Sequence, residues 1–320
     1  IAIASAVAAP VAMADAPTVY GQMNVAIDNV SVDGGETDMD VVSRNSRLGF
    51  KGAEDLGNGL KAVYQYEVQM DPVNTAGDWR MRNSFVGVAG GFGTVVMGRH
   101  DTPLRMIQPS DGFADSALAG NNTSRFNGTL AGEDRLNEVI AYLSPDFNGI
   151  KFAAALSGQD NLTVDTEESI SNGTSFSVTY GSKKSGIFAA AAMTSGADIN
   201  DRTRVTVQYN ESGLLGSFMY NQEADVGNSM TLAGAYKMGA LTPRAKLAMV
   251  TYDNAAAAGF DEDSIMNMAV GVDYALGKKT RVYAEFAQLA EGSRVNVGSP
   301  AVFTGAAATT GMSVGLFHKF

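Results

Sequence analysis

The chain has no cysteine in its 320 residues, which excludes a disulfide framework and every thiolate metal site. Histidine is almost as scarce: His100 and His318 are the only two. Neither has a metal-ligand partner at helical or hairpin spacing, so neither a zinc site nor a Ser-His-Asp arrangement is supported and no enzymatic activity is expected. Basic residues are outnumbered, with Lys+Arg 23 against Asp+Glu 34 and a formal net charge of -11, and no nucleic-acid partner is expected. After residue 14 no segment offers the roughly 18 consecutive apolar residues that a membrane helix needs. A membrane-spanning chain without such helices has one remaining solution, a closed β-barrel.

The first residues, IAIASAVAAPVAMADAP, form an uncharged run of small and apolar side chains ending in Ala12-Met13-Ala14. This matches the end of an export signal, with part of its apolar region followed by an A-x-A cleavage site. Residues 1–14 are therefore expected to be a signal-peptide remnant and residues 15–320 a single domain of an exported protein.

What the sequence has in abundance is alternation. In RLGFKGAEDLGNGLKAVYQYEVQ, residues 47–69, Leu48, Phe50, Leu60, Ala62, Tyr64, Tyr66 and Val68 share one parity. Arg47, Lys51, Lys61, Gln65, Glu67 and Gln69 share the other. A period of two means strands with one apolar and one wet face. The pattern recurs at 18–30, 41–54, 59–70, 80–90, 93–100, 135–144, 149–158, 173–181, 186–195, 202–210, 214–223, 228–238, 241–252, 264–275, 280–290 and 310–320. Sixteen strands over residues 15–320 leave about 19 residues for each strand and its connection, which suits spanning strands of roughly 9–11 residues.

The connections alternate in kind. Short ones such as DLGNG, GGFG, SPDFNG, GSKKSG and ALGKK are rich in turn residues. Longer polar ones fall between them, the longest at 100–134. Short turns at one rim and long loops at the other are the outer-membrane barrel pattern. Charge follows the same division: Asp33, Glu36, Asp71, Asp160, Glu167, Glu168, Asp261 and Glu262 lie in long loops, whereas Lys183, Lys184, Lys278 and Lys279 lie in short turns. Such an acidic rim would concentrate cations at a pore mouth. No cofactor is expected, with Ca2+ or Mg2+ at these loops, bridging to lipopolysaccharide, as the one candidate. The chain ends in GMSVGLFHKF, an alternating strand closed by Phe320.

On these residues the sequence resembles the Gram-negative trimeric porins, in particular the neisserial and β-proteobacterial general porin branch. The resemblance is carried by TVYGQMNVAID, SRLGFKGAEDLGNGLKAVYQYE, RNSFVGVAGGFGTVVMGR and the terminal GLFHKF. It implies an all-β, 16-stranded antiparallel transmembrane β-barrel with short periplasmic turns, long extracellular loops and an inward-folded third loop. It also implies a homotrimer in the cell outer membrane, in contact with lipid and lipopolysaccharide. In that family the third loop narrows the channel opposite a ladder of basic residues. Matched residue by residue, Arg47, Arg82 and Arg135 form the basic wall, extended by Arg80 and Lys51, while Asp111 and Asp115 supply the acidic side. Here QPSDGFAD departs from the family's usual loop motif. Gln22 stands where many relatives carry lysine. Arg44 falls on the opposite parity and is set aside.

The function this implies is a water-filled channel for passive diffusion of ions and small hydrophilic solutes. Two alternatives accompany it: a substrate-selective porin, and a non-conducting barrel acting as an adhesin or envelope anchor. Ion preference is open, with a lean to cations: the acidic mouth favours cations while the arginine wall favours anions.

Overall fold

The computed structural model describes residues 16–74, 79–113, 130, 132–158, 172–196, 199–254, 263–291, 295–297, 302–304 and 307–320. The signal-peptide expectation for residues 1–14 lies outside them.

The first half of the chain forms β1 (Thr18–Val32), β2 (Thr37–Ser43), β3 (Arg47–Gly57), β4 (Leu60–Gln69), β5 (Arg80–Gly90), β6 (Gly93–Asp101), β7 (Arg135–Leu143) and β8 (Ile150–Ser157). A single helical turn, α1 (Pro103–Met106), follows β6. The second half forms β9 (Gly173–Ser182), β10 (Ser185–Gly196), β11 (Ile199–Glu211), β12 (Leu214–Glu223), β13 (Gly227–Tyr236), β14 (Leu241–Tyr252), β15 (Ser264–Ala275), β16 (Thr280–Leu289) and β19 (Thr309–Lys319). Two three-residue strands, β17 (Val295–Val297) and β18 (Val302–Thr304), pair only with each other in the last loop.

Each spanning strand pairs antiparallel with its sequence neighbour, and β1 pairs with β19, so the sheet closes on itself. Because β2 and β3 both pair with β1, they are two halves of one spanning strand interrupted at 44–46. The result is a closed barrel of sixteen antiparallel spanning strands, in the places where the alternation puts them. The turns β3–β4, β5–β6, β9–β10, β11–β12 and β15–β16 fall at the rim that holds the start of β1 and the end of β19, whereas the short connections β10–β11 and β12–β13 lie at the other rim. In the β3–β4 turn Gly57, Asn58 and Gly59 have φ of 80°, 53° and 77°. Glycine and asparagine supply that left-handed backbone at little steric cost.

Burial is inverted relative to a soluble protein. Val19, Ile27, Phe50, Tyr66, Val86, Leu232 and Val314 are exposed, whereas Asn24, Arg204, Gln208, Asn221 and Asn267 are buried. An outer surface this apolar needs a hydrocarbon solvent, and an interior this polar needs water or partners. Along β19, Met312, Val314 and Leu316 face out and Ser313 and Phe317 face in. Val68 departs from its apolar parity: it is buried beside a register shift at Tyr66/Val68.

Candidate functional site

The lumen is built asymmetrically. On one side, β3 and β5 present basic residues around Glu67 of β4, with Tyr20 and Gln22 of β1 beside them. Arg82 is ion-paired with Glu67, which also accepts the Tyr20 hydroxyl at 2.9 Å. Arg47 donates to the Gln22 side chain at 3.0 Å. Lys51 lies over the Tyr20 ring, 5.1 Å from its centroid. Arg80 is exposed at the loop end of β5. Arg135, opening β7, contacts Asp101 at 2.9 Å and donates to Asn83 at 2.7 Å. Asp101 also holds Arg105 at 3.0 Å.

Strict alternation would not have put Arg82 in the lumen. Val86 and Val88 face outward, so an unbroken strand would send it into lipid. Between the Tyr66–Ser84 and Val68–Met81 pairs, however, Arg82 and Asn83 together oppose the single residue Glu67. That bulge reverses the parity beyond it. A similar irregularity corrects the reading of Arg44. The break at 44–46, where Asn45 takes φ 51°, turns Arg44 inward. It is buried, ion-paired with Asp28, and donates to Ser313 at 3.0 Å.

Arg44 opens a second network that sequence reasoning missed. Its other terminal nitrogen lies 4.0 Å from Glu285, which accepts from Arg244 at 3.0 Å. Arg244 is also paired with Asp273, and Asp273 with Arg281 at 3.2 Å. Three acids and three arginines thus alternate around the wall from Arg44, at the end of β2, through β1, β16 and β15 to Arg244 on β14, and cancel. Arg44 gave no signal in the sequence; for the other five the only one was inward parity, which says nothing about partners on other strands.

The opposite side is lined by the loop after β6. It descends along β8–β14, with Leu104 and Ile107 packed on Phe188, Ala190 and Ala192. Ser110 N–H donates to Gln208 at 2.8 Å. Asp111 is buried and holds Lys246 of β14 at 2.5 Å, and Phe113 stacks on the Arg244 guanidinium, 4.8 Å away. On the return limb Leu130 packs on Val250, Tyr252 and Ile265, Glu133 pairs with Arg204 at 2.9 Å and Asp134 with Arg202 at 2.6 Å. Asp111 therefore sits on the far side of the ring from β5, already neutralised by a lysine of its own wall. Asp115 lies outside the described residues.

Glu67 is taken by Arg82 and Tyr20. Here the cations Arg47, Lys51, Arg80, Arg82, Arg105 and Arg135 outnumber Glu67 and Asp101, the two carboxylates that pair with Arg82, Arg105 and Arg135. Among the described residues no group of three or more His, Asp or Glu is placed to hold a metal ion. The loop acids Asp160, Glu167, Glu168, Asp261 and Glu262 lie outside them.

The chain has clear relatives. A family model described as Gram-negative porin matches residues 1–293. The major outer membrane protein P.IB of Neisseria meningitidis serogroup B is 30% identical over 354 aligned residues, covering 100% of this chain and 98% of that protein. In structure, the anion-selective porin from Comamonas acidovorans aligns with a TM-score of 0.75 at 22% identity, covering 95% of this chain and 99% of its own. In-vitro folded OmpT of Vibrio cholerae, in its trimer form, aligns with a TM-score of 0.66 at 17% identity, covering 96% and 100%. At those identities the two structures show the fold.

Proposed function

This chain belongs to the Gram-negative porin family and is an outer-membrane porin; from that premise we propose that its barrel conducts ions and small hydrophilic solutes by passive diffusion, with a preference for anions. The neck lies between the loop of residues 100–134 and the wall of Arg47, Arg82 and Arg135, widened electrostatically by Arg80 and Lys51. One observation carries the reading: the described loop acids Asp111, Glu133 and Asp134 are each already paired on their own side, to Lys246, Arg204 and Arg202. The facing wall keeps an excess of cations. The field across the neck is then set by one sign, and fixed charge at a constriction sets selectivity. Arginine suits this wall because it stays ionised beside other cations, where a lysine would lose its proton.

The trimer form of the Vibrio porin supports three such barrels per assembly. The apolar outer face suits lipid and lipopolysaccharide as neighbours, and divalent cations at the acidic loops would bridge to the latter.

The test is single-channel recording in a planar bilayer under a salt gradient. The wild-type reversal potential is expected on the anion side. A unit charge about 10 Å from a permeating ion in water is worth ~0.4 kcal/mol, or roughly twofold in the ion ratio. Arg47→Gln should lower anion preference by about that factor, and Arg82→Gln by more, because it also uncovers Glu67. A cation-side reversal potential in wild type would overturn the preference, and folded barrels that pass no current would overturn the channel.

A further inference from the structure

We propose that Lys183, in the tight turn between β9 and β10, is a positioning residue of the channel: its ammonium group latches the descending limb of the inward loop to the short-turn rim and so sets the width of the neck. The inference rests on the reading of residues 100–134 as the constriction.

The other turn lysines, Lys184, Lys278 and Lys279, are exposed, as charged turn residues normally are. Lys183 is half-buried and turned into the barrel. Its Nζ donates to the carbonyls of Met106 at 2.7 Å and Gln108 at 2.6 Å. The Met106 carbonyl ends α1, where a helical turn leaves its acceptors without internal partners, and Gln108 lies two residues beyond it. The Lys183 stem runs along Phe188, with Nζ 5.2 Å from the ring centroid, and Phe188 is also part of the apolar seat of Leu104 and Ile107. The turn backbone is tied in too. Gln208 donates to the Lys183 carbonyl at 2.7 Å and accepts from Ser110 N–H at 2.8 Å, while Asn210 donates to the same carbonyl at 3.1 Å. One turn residue thus holds the loop at 106, 108 and, through Gln208, at 110.

The latch has a signature that simple packing lacks. Burial pulls the Lys183 pKa down to about 8, opposed by the attraction of Glu133 and assisted by repulsion from Arg204. Those two are the charged groups that face it, Glu133 from the return limb of the loop and Arg204 from β11. An undocked Lys183 in water would titrate near the ordinary lysine value of 10.5. The undocked state therefore binds more protons between pH 8 and 10.5. By linkage docking strengthens as pH rises through that window, and the gain is lost as pH falls through about 8.

The experiment records loop-driven closures of wild type, Lys183→Met and Lys183→Arg in planar bilayers from pH 7 to pH 10. Wild-type closures should become rarer with rising pH. Lys183→Met, which keeps the apolar stem and has no donor, should raise the closed-to-open ratio roughly tenfold at every pH, the size expected for loss of a charged hydrogen bond. Lys183→Arg should restore the wild-type ratio at neutral pH and abolish the pH dependence, because arginine does not titrate there. Lys183→Met channels that gate like wild type, or a pH dependence that survives in Lys183→Arg, would overturn the latch while the channel reading stands. A wild type that conducts nothing would instead overturn the channel itself. Should Lys183→Met fail to fold, the wild-type and Lys183→Arg pH series decide the matter alone.

Discussion

Arg204 shows how far this interior departs from that of a soluble protein. Its side chain is fully withdrawn from solvent, yet it carries a charge. Three partners make that possible: Glu133 at 2.9 Å, Asn221 at 3.1 Å and the Leu104 carbonyl at 3.3 Å. Two belong to the inward loop and one to the wall, so a single guanidinium ties both limbs of the loop to β11. Its planar fork suits several acceptors at once, which a lysine ammonium matches poorly. Removing one member of a buried pair strands the other, at a cost of roughly 3–5 kcal/mol. Arg204→Ala is expected to destabilise the barrel by about that amount in denaturant unfolding, because the buried Glu133 loses its ion-pair partner. The double change Arg204→Met with Glu133→Gln should recover most of it. The inward parity of Arg204 is plain in RTRVTV; its tie to Glu133 is not, because nothing local links a strand residue to a loop carboxylate on a distant part of the chain.

At the scale of elements, the alternation that marked each strand also marks which face meets lipid, because a period of two has only two outcomes. That is why the sixteen strands were legible and their ends nearly so. Among the irregularities of the sheet, two decide where an arginine points, and each inserts one residue. The interruption at 44–46 brings Arg44 inward, and the bulge at Arg82-Asn83 keeps Arg82 in the lumen beside Glu67. A bulge leaves no periodic trace, so its position emerges only from the pairing of β4 with β5. The path of the inward loop was hidden for a related reason: it has no period, and its anchors are partners from β9, β11 and β14. The bulge yields a direct test. Inserting one residue after Glu67 would give Arg82 and Asn83 a partner each, restore regular pairing of β4 with β5 and turn Arg82 to the outer face. Near the midplane a lipid-facing arginine costs roughly 2–4 kcal/mol, falling toward the interface. The insertion is expected to abolish the folded form on refolding into detergent or lipid, whereas inserting one residue in the long loop at 70–79 should be tolerated. A normally folded insertion variant would mean the register can slip elsewhere.

For the whole molecule, the decisive event is closure, since an open sheet edge in hydrocarbon would leave its backbone groups unpaired. Closure joins the first strand to the last, a contact of almost the greatest sequence separation the chain allows, so it is slow to form. The seam is consequently where small changes act on the entire barrel. Phe320 N–H donates to the Gly21 carbonyl at 3.2 Å, and its ring lies over the Cα of Gly21. The terminal Phe stood out in the sequence; that it needs a glycine beneath it did not. A Cβ on Gly21 would collide with the Phe320 ring and stand 2.5 Å from the Arg47 carbonyl oxygen. The ring can swing away at the chain end. The carbonyl belongs to β3 and cannot move without disturbing the β1–β3 pairing. Gly21→Ala should therefore destabilise the folded barrel by about 1–3 kcal/mol, the usual range for overpacking. Gly216→Ala, where nothing lies within 4 Å of the added carbon, should be neutral or slightly stabilising, because glycine is entropically costly in a strand. Heating each variant in detergent and following loss of the folded species checks both signs. If Gly21→Ala melts no lower than Gly216→Ala, the seam tolerates a side chain and closure is held by the β1–β19 ladder alone.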